Sequence, residues 1–260
     1  MNFLQKLDRI QEKNNSLVCV GLDPDPQKFT STQSVFEFNK SIIESTYEFV
    51  CAYKPQIAFY AAHGLEALAD LMKTIDYIRK NYPQMQIILD AKRGDVPNTS
   101  KMYAKELFDV FAADAATVSP YYGFDALEPF FERDQKGVFV ICRTSNPGAS
   151  EIQDLQVEGK PLYVKVAENI VNWSKNYNNV MLEIGATWPE QIRVLRKLAP
   201  DMNFLIAGIG AQKGDLKGTL NNGLRSDKRG LIVSSSRGII YAKDPQKAAK
   251  DLRDEINSYR

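Results

Sequence analysis

The chain has 260 residues, 25% of them charged, and a formal net charge of +1. So even a balance gives no general pull toward nucleic acid or an anionic membrane, and the length suits one large α/β domain or two small ones. With His63 as the only histidine, a histidine-rich metal site and a Ser-His-Asp relay are all but excluded, so acid–base chemistry must lean on lysine and aspartate.

From the N-terminus, residues 1–13 carry Phe3, Leu4, Leu7 and Ile10 at helical spacing among charges. They read as a surface helix. They lack the long apolar stretch of a signal peptide or membrane span, which predicts a cytoplasmic protein. Short apolar runs then recur at 16–22, 49–54, 86–90, 115–119, 138–142, 180–184, 204–207 and 231–234. Each is too short for a helix and reads as a buried strand. Amphipathic stretches alternate with them at 35–47, 65–81, 99–111, 126–133, 160–177, 189–198, 214–222 and 245–259. His63, just before Gly64, reads as a helix-start or packing residue. Cys19, Cys51 and Cys142 are far apart, form no CxxC pair and lie in or beside apolar runs, as buried reduced thiols do. Eight β-then-α units, with no linker or composition shift, predict a single (β/α)₈ barrel over residues 1–260, with a doubly wound open sheet as the alternative.

In a barrel, chemistry collects where strands end. After the first run, Gly21-Leu22-Asp23-Pro24-Asp25-Pro26 offers Asp23 either as an acceptor for a sugar hydroxyl or as the cap of a turn. The second ends Tyr53-Lys54-Pro55-Gln56, where Lys54 breaks an apolar context and needs anionic company. The third ends Asp90-Ala91-Lys92-Arg93-Gly94-Asp95. Side chains two apart on a strand share a face, so Asp90 and Lys92 should point the same way, with Asp95 just beyond in the loop. Lys54, Asp90, Lys92 and Asp95 form a charge-balanced set whose burial is tolerable; a salt-bridged loop is the plainer reading. After the fifth run, residues 143–159 form a long connection in which Ser145 and Asn146 could read the edge of a ring, or which is simply a surface loop. After the seventh, Gly208-Ile209-Gly210-Ala211-Gln212 allows close backbone approach. After the eighth, Ser234-Ser235-Ser236-Arg237-Gly238 supplies a guanidinium suited to phosphate. Seventh and eighth strand ends together read as a phosphate site.

These motifs, in this order and spacing, resemble the orotidine 5′-phosphate decarboxylase family, in its longer bacterial-type subgroup. Val20-Gly21-Leu22-Asp23, Tyr53-Lys54-Pro55-Gln56, Asp90-Ala91-Lys92-Arg93-Gly94-Asp95, Thr144-Ser145-Asn146-Pro147-Gly148, Gly185-Ala186-Thr187, Gly208-Ile209-Gly210-Ala211-Gln212 and Ser235-Ser236-Arg237-Gly238 carry the likeness across nearly the whole chain. The resemblance implies a homodimeric barrel without metal or organic cofactor, acting on orotidine 5′-monophosphate to give UMP and carbon dioxide. By that match Lys92 is the proton donor to C6, Asp90 sits beside the departing carboxylate, and Lys54 bridges the carboxylates and the ribose. Asp95 and Thr99 reach into the partner subunit's site. Asp23 holds a ribose hydroxyl, Ser145 contacts the pyrimidine, and Gln212 and Arg237 bind the phosphate. One position departs: Pro97 stands where the family usually has glycine, fixing φ and removing a donor. The nearest rivals are magnesium-dependent sugar-phosphate decarboxylases and synthases of the same barrel group. These share an Asp-x-Lys-x-x-Asp third strand but generally carry an acidic residue where Lys54 stands. A catalytically silent nucleotide-binding barrel is the reading from a different class.

Overall fold

In the computed structural model, which describes residues 1–28, 33–209 and 214–260, the alternation of strands and helices closes on itself. Among the described residues the ring consists of β1 (Val18–Leu22), β2 (Ala52–Pro55), β3 (Gln86–Arg93), β4 (Ala115–Val118), β5 (Gly137–Arg143), β6 (Val180–Gly185), β7 (Phe204–Ala207) and β8 (Leu231–Ser235), each parallel to its neighbours in chain order. The register Val18↔Val233 joins β1 to β8, while Cys19↔Ala52 joins it to β2. The first strand therefore has two partners and no free edge, which decides for a (β/α)₈ barrel over an open sheet. Barrel side chains cover one face of each strand and helices cover the other, so the strands are apolar runs rather than alternating patterns.

The longer helices that follow the strands are α2 (Val35–Thr46), α3 (Gly64–Asn81), α4 (Pro97–Lys105), α5 (Phe124–Phe131), α6 (Leu162–Ser174), α7 (Pro189–Leu198), α8 (Leu216–Gly223) and α9 (Pro245–Asn257), after the N-terminal α1 (Phe3–Lys13). Local chemistry fixes several starts. Ser34 and Glu37 form a reciprocal capping box at α2, and Asp215 and Asp244 cap α8 and α9. His63 occupies the position before α3 without a side-chain capping bond. Pro97 is the first residue of α4, where its missing N–H would have had no helical partner and its fixed φ suits the helix. None of the described helices is long and apolar enough to cross a membrane. All three cysteines are free and buried, and burial pushes the Cys51 and Cys142 thiols up to about 12, which makes them poor nucleophiles near neutral pH.

The N-terminal helix does more than lie on the surface. Its capping box, Asn2 with Gln5, sets the start. Phe3, Leu7, Ile10 and Gln11 are buried, and Phe3 meets Phe139 edge to face at 5.9 Å. The Gln11 amide donates to the Leu231 carbonyl at the first residue of β8 (3.0 Å). α1 thus closes the end of the barrel where the strands begin, opposite the end where the polar residues gather.

Three segments differ from expectation. β3 runs on to Arg93, with a register shift against β4 between Leu89 and Arg93. The helix expected over 99–111 is α-helical only to Lys105 and widens into a π turn, Glu106–Val110, in which Phe111 N–H reaches back five residues to the Glu106 carbonyl (2.9 Å). The connection after β5 is structured: a 3₁₀ turn (Pro147–Ala149), a helical turn (Ser150–Gln153) and a two-stranded hairpin pairing Gln156–Val157 with Lys160–Pro161. It folds around Arg143, which is wholly buried. Its guanidinium donates to the Thr144 carbonyl and Gln153 and pairs with Asp154 (3.0, 3.2 and 3.1 Å), and it lies 5.2 Å from the Trp188 ring centre.

The floor of the barrel is tightly filled at Gly137. A Cβ there would lie 2.5 Å from the Phe3 ring and 2.9 Å from the Ala115 methyl. Gly137→Ala should cost about 1–3 kcal/mol through overpacking, read as a lower urea midpoint; an unchanged midpoint would mean that α1 is not seated on the barrel.

Candidate active site

The strands end around one cleft of about 440 Å³, within the range of small-molecule sites. At its centre stands Asp90. Lys54 Nζ, from β2, lies 2.5 Å from Asp90 Oδ2, and Lys92 Nζ pairs with Asp90 Oδ1. Thr117 on β4 completes the shell: its hydroxyl donates to Asp90 Oδ1 (2.9 Å) and accepts the backbone N–H groups of both Ala91 and Lys92 (3.0 Å each). One donor and two acceptor sites exhaust what a hydroxyl can do. The paired amides hold β3 beside β4 past the register shift, and explain why the strand does not stop at Asp90. Lys92 sits there with φ +49°, a left-handed conformation that a side chain with a Cβ adopts only when its surroundings impose it.

Burial and charge oppose each other throughout the cluster. Burial would raise the Asp90 pKa, but Lys54 and Lys92 outweigh it and hold the carboxyl well below the ordinary carboxylate range. Burial likewise works against the Lys54 ammonium, and Asp90, Asp23 and Glu183 together overcome it and raise its pKa. Both results keep the pair ionised.

Asp23 faces this cleft. The turn after β1 is capped instead by Asp25, whose Oδ1 accepts Gln27 N–H (3.1 Å), and Tyr241 ties the turn down by accepting Asp25 N–H (2.7 Å). Asp23 is therefore left to the cleft, and burial raises its pKa against the pull of Lys54. Ser145 lines the cleft from the β5 connection, and Arg237 from the residues after β8. Gly208 turns the chain away from β7 at φ +92°, open to glycine and strained for other residues. Gln212 lies outside the described residues. Asp95 and Thr99 are not among the residues that line the cleft. Asp95 Oδ1 accepts Val96 N–H (2.7 Å), and buried Ser100 clamps its backbone by bonds to both its N–H and its carbonyl (3.2 and 2.9 Å). The predicted quartet is thus three residues that converge and a fourth fixed at the start of α4.

Two further groups belong to the cluster. Glu183, in β6, is buried with Oε1 3.4 Å from Lys92 Nζ; a charged residue inside an apolar run, the signal that singled out Lys54, marks it in the sequence too. Thr117, a small residue in Ala115-Ala116-Thr117-Val118, carries no such signal.

A family model described as the orotidine 5′-phosphate decarboxylase / HUMPS family matches residues 16–252. The chain belongs to this family. It is 45% identical to the orotidine 5′-phosphate decarboxylase of Cellvibrio japonicus and 43% identical to that of Ralstonia nicotianae, each alignment covering all of both chains. The solved structure of Leishmania donovani OMP decarboxylase superposes with a TM-score of 0.91 at 41% identity, covering 100% of this chain and 99% of that one.

Thr117→Val should leave two backbone N–H groups without their acceptor and strip Asp90 of a donor, costing about 1–3 kcal/mol. Urea denaturation at neutral pH reads this; wild-type stability in the variant would show that the hydroxyl is not what holds β3 past its register shift.

Proposed function

We propose that this chain is a cofactor-independent orotidine 5′-monophosphate decarboxylase that forms UMP and carbon dioxide, the last step of pyrimidine nucleotide synthesis, and that residues 1–260 act as one catalytic domain. The single observation that carries this reading is the Lys54–Asp90–Lys92 cluster on the cleft floor, in a chain of this family. Loss of carbon dioxide from the pyrimidine leaves an electron pair in the plane of the ring at C6, where no adjacent carbonyl can absorb it. The protein must then stabilise a carbanion-like transition state by charge. Lys92 does so as an ammonium and then gives C6 its proton. Asp90 fixes that ammonium and lies beside the substrate carboxylate. Two unit charges about 4 Å apart at an effective dielectric of about 20 repel by about 4 kcal/mol, relieved as neutral carbon dioxide departs and equivalent to about three powers of ten in rate.

The remaining roles follow the cleft. Lys54 bridges Asp90 and the ribose, Asp23 accepts from a ribose hydroxyl, and Ser145 contacts the pyrimidine. Arg237, with Gln212, binds the phosphate three strands around the ring from β3. That distance lets phosphate binding drive closure over the base without touching the reacting carbon. Against a magnesium-dependent reaction stands Asp90 itself: each of its carboxylate oxygens already faces an ammonium group, which a divalent cation would have to displace.

The active form is a homodimer in which Asp95 and Thr99 complete the partner's cleft. In support, the segment that carries them and the turn after β4, which is tied to the end of β3 by Ser119 N–H donating to the Arg93 carbonyl, leave large apolar side chains in solvent: Val96, Met102, Tyr122 and, at 88% exposure, Tyr121. Exposed apolar surface of this kind marks protein contacts.

Wild-type protein should consume orotidine 5′-monophosphate in a direct absorbance assay, with or without EDTA. Lys92→Ala should lose turnover while keeping its fold and its affinity for UMP; normal turnover in that variant would end the assignment. Mixing inactive Asp95→Ala and Lys92→Ala subunits should restore part of the activity through hybrid sites. No recovery after confirmed subunit exchange would mean that the site is not shared.

A further inference from the structure

The cleft floor holds an imbalance that the decarboxylation scheme does not use. Two ammonium groups, Lys54 and Lys92, face three carboxyl groups, Asp23, Asp90 and Glu183. Asp23 and Glu183 each bury one carboxylate oxygen that lacks a hydrogen-bond partner among the described residues, and of the two it is Glu183 that pairs with Lys92. Its Oε1 reaches Lys92 at 3.4 Å, but its Oε2 is buried with no hydrogen-bond partner among the described residues. Its register partners on the flanking strands are Ile141 and Leu205, and neither offers a donor from its side chain. A buried carboxylate oxygen without a donor is costly, and carrying a proton removes the surplus charge.

We propose that Glu183 is a positioning residue for Lys92 that carries a proton in the free site and returns it to Lys92 in each turnover. The proposal rests on the decarboxylase reading above and adds a source for the second proton. In the first transfer the Lys92 ammonium gives one proton to the C6 electron pair; a C–H bond forms and Lys92 is left as a neutral amine. In the second, the Glu183 carboxylic acid gives its proton to that amine, restoring the ammonium beside a Glu183 carboxylate. Solvent reprotonates Glu183 when the product leaves, so each turnover takes up one proton. Burial, the largest influence, raises the Glu183 pKa; Asp90 adds to it, and Lys92 and Lys54 oppose. Asp23, just after β1, and Asp90 on β3 are the other carboxyls of the cleft floor, while the Arg143 guanidinium on β5 is committed to Gln153 and Asp154.

The test is Glu183→Gln, which keeps size and polarity but cannot release a proton, with Glu183→Asp as the acid-retaining control. Without substrate, the wild-type minus Glu183→Gln infrared difference spectrum at neutral pH should show the carbonyl stretch of a protonated carboxylic acid. With substrate, Glu183→Gln should keep KM and the single-turnover rate within about threefold while steady-state kcat falls by about tenfold or more, and Glu183→Asp should recover part of kcat. The wild-type kcat should decline as pH rises through the raised Glu183 pKa, because only the acid form holds a proton to return, and that limb should be missing in Glu183→Gln. A missing carboxylic acid band, an unchanged kcat, or equal losses in single-turnover rate and kcat would each overturn the proposal. Wild-type protein that leaves orotidine 5′-monophosphate intact would instead remove the decarboxylase reading, while the infrared band, read without substrate, still judges Glu183 by itself.

Discussion

The Asp90 carboxylate, gripped by one lysine at each oxygen, is the interaction on which the rest of the site depends. Lys54 has a side chain only 7% exposed, and an ammonium so buried is tolerable only beside a carboxylate of good geometry. The same carboxylate draws Lys92 inward at a backbone conformation the residue would not choose. Thr117 then holds the distorted end of β3 against β4. Remove the shared anion and two cations repel across the floor; remove either cation and the floor holds an even larger excess of acid. The cluster costs folding energy that an apolar floor would not, and such expense is characteristic of sites that act on charge.

The barrel makes this arrangement possible by separating stability from chemistry. At one end α1 fills the floor with Phe3 and Leu7 and ties itself to β8 through Gln11. At the other, the strands release their last residues into loops, and the ring brings β1, β2, β3 and β6 close enough for five ionisable groups to share one space. The phosphate side proposed for β7 and β8 lies away from them around the same ring, so affinity and reaction can be supplied by different residues. Buried Arg143 joins the two functions of the β5 connection: it anchors a folded hairpin and so fixes where Ser145 enters the cleft.

Much of this was legible in the sequence because it depends on short-range rules. Strand runs and helix periodicity follow from residue spacing within a few positions. The common direction of Asp90 and Lys92 follows from strand geometry, and the need of Lys54 for an anion follows from its apolar neighbours. Glu183 carries the same mark as Lys54, yet without a partner close in sequence it reads as one charge in a strand; its partner is Lys92, about ninety positions earlier. Thr117 has no mark, because a threonine in a strand is ordinary until its hydroxyl is seen against Asp90. The β5 connection looked like a loop because its order comes from a single buried arginine and not from periodicity.

The sequence by itself determined the (β/α)₈ alternation, the polar residues at the strand ends and the family to which the chain belongs, since each rests on local pattern and spacing. The tertiary structure alone decided which of those residues meet. It joined Glu183 to Lys92, gave Asp90 a third partner in Thr117, turned Asp23 rather than Asp25 to the cleft, and left Asp95 at the start of α4 outside the cleft. Distances between side chains on different strands are set by closure of the ring, and no stretch of chain read by itself contains that information.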